Sequence, residues 1–227
     1  MKTFLIKLSG EILGERGFDR EKVAFFAREI STIKSAKIAI VIGGGNLWRG
    51  RDATDFGFLP ADSDAIGMNA TILNAAILRN FLQKIGKKAR VFSPFPVDRL
   101  SEKYSPDAAK AALKAGEIIF CAGGTGAPFF TTDSAAVLRA LEIGADAVLK
   151  GTKVDGIFSA DPMKNPDATR FSKISFSDAL DKNLKIMDAT AFALARENKM
   201  PIFVFNAFSK NALSDAISGK ISGSWVG

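Results

Sequence analysis

The sequence predicts an α/β fold: an open, mostly parallel sheet with helices on both faces, a three-layer αβα sandwich. Short apolar runs, β-branched or aromatic, alternate with helix-period segments along the chain, the pattern of a parallel sheet wound with helices. Three of those runs empty into glycine-rich loops: FLIKLSGE at Phe4 to Glu11, KIAIVIGGGNLWRG at Lys37 to Gly50, and IIFCAGGTGAPFFTTD at Ile118 to Asp133. Open α/β sheets bind ligands at such strand ends, and glycines let a backbone approach a phosphate or nucleotide closely. With 227 residues, 47% of them hydrophobic, the chain suffices for one domain with a sizeable core. Residues 1–227 are expected to form that single domain, without repeat, low-complexity segment or linker.

In chain order, Phe4 to Leu8 reads as a strand, Arg20 to Lys34 as a helix, Ile38 to Ile42 as a strand and Asp62 to Ile85 as a long helix. Strands at Arg90 to Phe92, Ile118 to Ala122, Ala147 to Leu149 and Ile202 to Phe205 are short and punctuated by Gly or Pro. Helices at Pro106 to Ala115, Thr132 to Ile143, Asp188 to Asn198 and Ser209 to Ile217 fill the intervals. Thr132 or Asp133 and Asp188 are the expected caps, and Gly86 and Gly144 the expected stops. The segment Lys150 to Lys173, with two prolines and two glycines, reads as a long ordered loop with room for a hairpin. The helix at Asp62 to Ile85 carries Ile66, Met68, Ile72, Leu73, Ile77, Leu78, Phe81 and Leu82, more apolar residues than one core-facing stripe uses. A subunit contact is expected there.

Net charge is +7 and the excess lies in the first hundred residues, which hold 16 basic and 10 acidic side chains. That leans toward anionic ligands, although solvated positions such as Lys84, Lys87, Lys88 and Arg90 account for much of it. No basic stripe with interleaved aromatics is present, so no nucleic-acid partner is expected. Lys2 and Lys7 bracket too short an apolar stretch for a signal peptide, and no run reaches a membrane span. The lone Cys121 sits in an apolar strand and reads as a small buried hydrophobe. A cytoplasmic protein is expected. The chain has no histidine, which excludes histidine bases, histidine metal ligands and Ser-His or Cys-His pairs. Phosphoryl transfer can run on the Lys, Arg, Asp and backbone groups that remain. Neither GxxxxGK[ST] nor GxGxxG occurs, so the phosphate seat is not a P-loop or a dinucleotide turn.

Six ordered words carry a resemblance over nearly the whole chain: KLSGE at Lys7 to Glu11, GGGNLWRG at Gly43 to Gly50, Asp64 followed by GMNAT to Thr71, GTGAPFFTTD at Gly124 to Asp133, TKVDGIFSADP at Thr152 to Pro162, and Met187 with Asp188. The chain resembles the bacterial uridylate (UMP) kinases of the amino acid kinase superfamily. The resemblance implies an amino acid kinase-like sandwich, its acceptor-binding part mainly N-terminal and its ATP-binding part mainly C-terminal. It implies ATP and UMP as substrates and Mg²⁺ carried with ATP, with no dedicated ligand cage on the protein. A homo-oligomer, a hexamer in that family, is implied as well, with UTP as inhibitor and GTP as effector. The GTP-associated loop, Gly14 to Asp19, is a residue or two shorter here, so weak or changed GTP activation is expected.

Residue by residue, the resemblance places ATP on Lys7, Leu8, Ser9, Gly10, Gly45, Arg49, Thr152, Phe158 and Asp161. It places UMP on Gly44, Asp64, Thr125, Gly126, Ala127, Pro128, Phe129, Phe130, Thr131 and Thr132. Lys7, Arg49 and Asp133 are the implied catalytic groups, with Lys150 a second cation near the phosphates. Taken alone, Lys7 is more often an edge charge snorkelling off a strand, and Asp64 is equally a charge complementing a helix dipole. One of Phe129 and Phe130 is expected in the core. Ala127 stands where the family usually has asparagine, which bears on acceptor affinity or subunit contacts. Asp188 is read as structural. Outside this activity, a kinase for another small acceptor and a non-catalytic nucleotide- or oxyanion-binding protein are the alternatives.

Overall fold

A computed structural model describes residues 1–50, 55–160, 162, 164–165 and 167–227. Seven strands run parallel, in the order β4 (Glu102–Lys103), β3 (Ala89–Ser93), β5 (Ile118–Cys121), β2 (Lys37–Ile42), β1 (Thr3–Leu8), β6 (Ala147–Thr152) and β10 (Ile202–Asn206). The sheet is completed by β11 (Gly223–Val226), antiparallel to β10, and β9 (Lys173–Ile174), parallel to β11. A separate antiparallel ribbon of β7 (Ile157–Phe158) and β8 (Arg170–Phe171) lies within the long loop, where the sequence left room for a hairpin. β1 is followed by β2 on one side, and β5 later crosses past both to β6 on the other, so the connections part at β1. That divergence leaves a crevice.

Alternation along the strands divides the core in two. Phe4, Ile6 and Leu8 of β1, with Ile38, Ile40 and Ile42 of β2, face helices α1 (Arg20–Thr32), α2 (Pro60–Lys84) and α7 (Ala212–Ser218). Leu5, Ala39, Val41, Ile119 and Val148 face α3 (Pro106–Lys114), α4 (Thr132–Ile143), α5 (Phe176–Asp181) and α6 (Ala189–Glu197). Central strands buried on both faces are near-continuous apolar runs for this reason. Lys7 shares the face of Leu5, two residues earlier, and Lys150 that of Val148. β1 and β6 pair in a register that sets Lys7 directly opposite Lys150.

The cap of α4 is Thr131, one residue before the expected positions, because its hydroxyl accepts the Asp133 and Ser134 N–H groups. Gly144 closes that helix in the left-handed conformation, and Asp188 caps α6 through the Ala191 N–H at 2.9 Å. Helix α5 was not expected: six residues are too few to display a period. Among the described residues no helix is long and apolar enough to cross a membrane. Cys121 is buried, and burial pushes its thiol pKa up to about 12.

Phe120 of β5 is fully enclosed. Phe120→Ala is expected to lower unfolding free energy by about 3–5 kcal/mol in urea titrations; a loss below about 1 kcal/mol would contradict a packed core at this strand.

Candidate active site

Three side chains meet where β1, β6 and α4 converge. Lys7 Nζ lies 2.9 Å from Asp133 Oδ1, and Lys150 Nζ lies 2.7 Å from Asp133 Oδ2. Lys150 also donates to the Ile186 carbonyl at 2.6 Å. Asp133 sits in the first turn of α4, where the helix dipole favours a carboxylate. The turn is fixed from outside: Thr131 Oγ1 donates to Asp188 Oδ2 at 2.5 Å, and Ser134 Oγ reaches both oxygens of Asp188. Asp188 thus joins the starts of two helices, the structural role read for it.

Burial is the largest influence on the Asp133 carboxyl and opposes its charge, but Lys7 and Lys150 together outweigh it and hold its pKa below 3.8. Lys150 is depressed from 10.5 by burial first; Asp133 opposes that shift and Lys7 adds to it. Within this trio two ammonium groups on one carboxylate leave one net positive charge, which Asp188 partly offsets at Lys150. A phosphate oxygen is the natural third partner.

A second arrangement of the same kind lies beside it. Glu11 accepts from Arg49 at 2.8 Å and from Lys153 at 2.9 Å, while Arg49 Nε donates to the Gly45 carbonyl at 2.8 Å. Glu11 stands in KLSGE and Lys153 in TKVDG, but no local pattern reveals that a carboxylate joins them. Beneath the Gly43 to Gly45 loop, Asn46 and Asn74 exchange amide hydrogen bonds at 3.1 and 2.7 Å; Asn74 also donates to Gly43 O and Asn46 to Gly17 O. A methyl group on Gly10 would overlap the Gly43 carbonyl and this amide pair. Glycine is required there for close packing of two loops. Ser9 Oγ caps the short 3-10 turn of Gly10–Leu13 through the Glu11 N–H. Leu8 places its side chain in the core and its carbonyl on the Gly43 N–H, so it contributes to the site by ending the strand.

Two cavities flank the lysines. One of about 490 Å³ is lined by Lys150, Thr152, Val154, Phe158, Ile186 and Val204, among others. Thr152 braces its wall, donating to Val154 O at 2.7 Å. Asp161 lies outside the described residues. The sequence did not suggest the segment Lys182 to Ile186 as a wall of this cavity, because it carries no nucleotide motif. The second cavity, about 150 Å³, is lined by Gly44, Trp48, Asp64, Met68, Phe130, Thr131 and Thr132, with other residues of α2. Asp64 Oδ2 accepts the Phe129 N–H at 2.7 Å, which ties α2 to the loop. Thr125 Oγ1 bridges to Ala127 N and O, folding Gly126 to Pro128 into a tight turn. Neither phenylalanine is core: Phe129 is 73% and Phe130 48% exposed. The turn lifts both rings off the sheet, which overturns the expectation that one packs inside.

The model of the amino acid kinase family matches residues 2–206. The chain belongs to the amino acid kinase family. Within it, the chain is 46% identical over 221 residues to a uridylate kinase of Anaplasma phagocytophilum (strain HZ), covering 95% of this chain and 90% of that protein. It is 44% identical over 222 residues to a uridylate kinase of Ehrlichia canis (strain Jake), covering 95% and 91%. Its fold superposes on UMP kinase from Ureaplasma parvum with a TM-score of 0.95 at 37% identity, covering 99% and 98% of the two chains. Uridylate kinase from Archaeoglobus fulgidus superposes with a TM-score of 0.77 at 27% identity over the full length of both. The family sandwich accounts for the crevice and for the convergence of the glycine loops upon it.

The depressed Asp133 pKa gives a pH test. Between that value and 3.8 the folded state binds fewer protons than the unfolded chain, so stability falls as pH drops through the window. Asp133→Asn leaves two lysines without their carboxylate and is expected to cost about 3 kcal/mol at neutral pH. In urea titrations the gap between wild type and variant should narrow below about pH 4. A gap that widens on acidification would contradict the pairing.

Proposed function

We propose that this protein transfers the γ-phosphoryl group of ATP to UMP, giving ADP and UDP. The observation that supports it is the Lys7–Asp133–Lys150 cluster between the two cavities: Lys150 lines the larger one, and Thr132, next to Asp133, lines the smaller. In this reading the larger cavity takes the adenosine of ATP and the smaller takes UMP, dividing the domain into a C-terminal donor half and an N-terminal acceptor half. The relatives named uridylate kinase and UMP kinase support the choice of acceptor.

UMP has a second phosphate pKa of about 6, so at neutral pH it is a dianion and needs no general base. The protein's task is to hold two polyanions in line and offset their repulsion. Lys7 and Lys150 do this at the transferring group. Arg49, steadied by Glu11 and Gly45, acts from the glycine loop as a further phosphate contact. Among the described residues no three His, Cys, Asp or Glu side chains gather as a metal site, and both oxygens of Asp133 face lysines. Mg²⁺ in this reading is bound by the triphosphate, and no step requires a protein cage.

The same proposal takes in regulation and assembly. UTP, which shares the uracil, competes for the smaller cavity. The Gly14 to Asp19 loop, tied to the glycine loop by Gly17 N–H on Asn46 O at 2.7 Å, is a short route for a weak GTP effect. Ile66 and Leu73, exposed seven residues apart on α2, suit contacts in a homohexamer. A cytoplasmic location completes the reading.

A coupled assay of ADP release is expected to favour UMP over CMP, AMP and GMP. Lys7→Ala should lower kcat by about 10²- to 10³-fold with little change in UMP binding. Asp64→Asn should raise the UMP KM more than it lowers kcat. Near-normal turnover in folded Lys7→Ala would remove the basis for the reading. UTP inhibition that UMP does not relieve would remove the shared-site assignment, and light scattering that shows only monomer at micromolar concentration would remove the hexamer.

A further inference from the structure

Arg139, two turns into α4, is 6% exposed and takes no part in the cluster described above. Its Nη1 donates to Glu142 Oε2 at 2.7 Å, and its Nη2 reaches the carbonyl oxygens of Gly124 and Thr125, both at 3.3 Å. The guanidinium lies over the Tyr104 ring, 4.1 Å from its centroid. A buried arginine is costly unless its donors are occupied; here Glu142 takes Nη1 and the loop after β5 takes Nη2.

A trans peptide holds its C=O and N–H on opposite sides, and the described chain has no cis bond. With the Gly124 and Thr125 carbonyls turned toward Arg139, the N–H groups of Thr125 and Gly126 face the other side of the loop. Gly124, at the head of these planes, lines the smaller cavity, and a methyl on it would stand 3.4 Å from Met68 of α2. Neither amide donates to a protein acceptor among the described residues. Gly124 and Gly126 have φ of 61° and 90°, and glycine-flanked peptide planes turn over at little steric cost. A plane turned over would present a carbonyl where a donor is needed.

We propose that Arg139 is a positioning residue for the acceptor, holding the planes 124–125 and 125–126 so that two N–H donors face the oxygen-bearing edge of the bound nucleotide. The inference rests on the reading of the smaller cavity as the UMP site. Lysine does not replace it, because one ammonium lacks the planar fork that spans two carbonyls and a carboxylate while stacking on a ring.

Arg139→Lys is expected to raise the UMP KM by about 10- to 100-fold, with kcat and the ATP KM within about threefold of wild type. In the ligand-free variant, amide hydrogen exchange should quicken in peptides spanning 123–130 and stay unchanged in α4. Glu142→Gln loosens the guanidinium without emptying its space and should shift the UMP KM the same way by about threefold, the scale of a partly exposed ion pair. A UMP KM unchanged in both variants, an equal loss in every kinetic parameter, or unchanged exchange at 123–130 would overturn the proposal. Should Arg139→Lys fail to fold, Glu142→Gln decides through both readouts. A wild-type protein that does not phosphorylate UMP would overturn the acceptor assignment instead, and the exchange measurement would still decide whether Arg139 holds the loop.

Discussion

The structure depends on one electrostatic constraint: two lysines placed opposite each other on adjacent parallel strands, facing the same way. At a separation near the strand spacing of about 4.8 Å, two such charges repel by roughly 3 kcal/mol at an effective dielectric of 20. Asp133, in contact with both, makes the pairing tenable. That requirement sets where α4 begins, since the carboxylate must arrive from above the strand ends at the height of Lys7 and Lys150. The loop from β5 must therefore cross the crevice and end in a capped turn, which Thr131 and Asp188 supply. Burial depresses the Lys150 pKa first, and the neighbouring Lys7 adds to that shift against Asp133.

The braces around this cluster follow the same logic at longer range. Glu11 holds Arg49 and Lys153, again two cations on one carboxylate, and so links the glycine loop after β2 to the loop after β6. The Asn46–Asn74 pair does with neutral amides what Glu11 does with charge. It fixes Gly43 O and Gly17 O without adding charge to a site that must receive polyanions. A neutral brace is preferable below a phosphate seat because every added carboxylate there would repel the ligand. Buried amides of this kind are stable only when fully hydrogen-bonded, and reciprocal exchange between Asn46 and Asn74 meets that condition.

Much of this was legible in the sequence, and the part that was not has a physical reason. Central strands bury both faces, so their composition announces them, and a glycine-rich exit marks where each one meets the crevice. The words around Lys7, Arg49 and Asp133 gave the chemistry through family resemblance, but not the register that sets Lys7 against Lys150. Register is a relation between strands 143 residues apart, and no local pattern encodes it. Helix α5 and the strands β11 and β9 at one margin of the sheet escaped because they are too short to show a period. Arg139 and Asn74 escaped for a different reason: each looks like an ordinary polar residue on a helix, and only tertiary packing turns it inward. Phe129 and Phe130 misled in the opposite sense, since hydrophobicity places phenylalanine inside by default and a glycine turn placed these two outside.

That turn is restrained from two sides. Its start is held by Arg139 and its end by Asp64, whose Oδ2 accepts the Phe129 N–H. Phe129 has φ of 69°, a left-handed conformation costing about 1–2 kcal/mol for a residue with a side chain. The bond from Asp64 helps to offset that strain. A loop restrained at both ends, with one strained residue between them, has few conformations to lose when a ligand arrives, so less of the binding free energy goes into ordering it. Two side chains from different helices, Arg139 of α4 and Asp64 of α2, thus fix one short turn beside the smaller cavity.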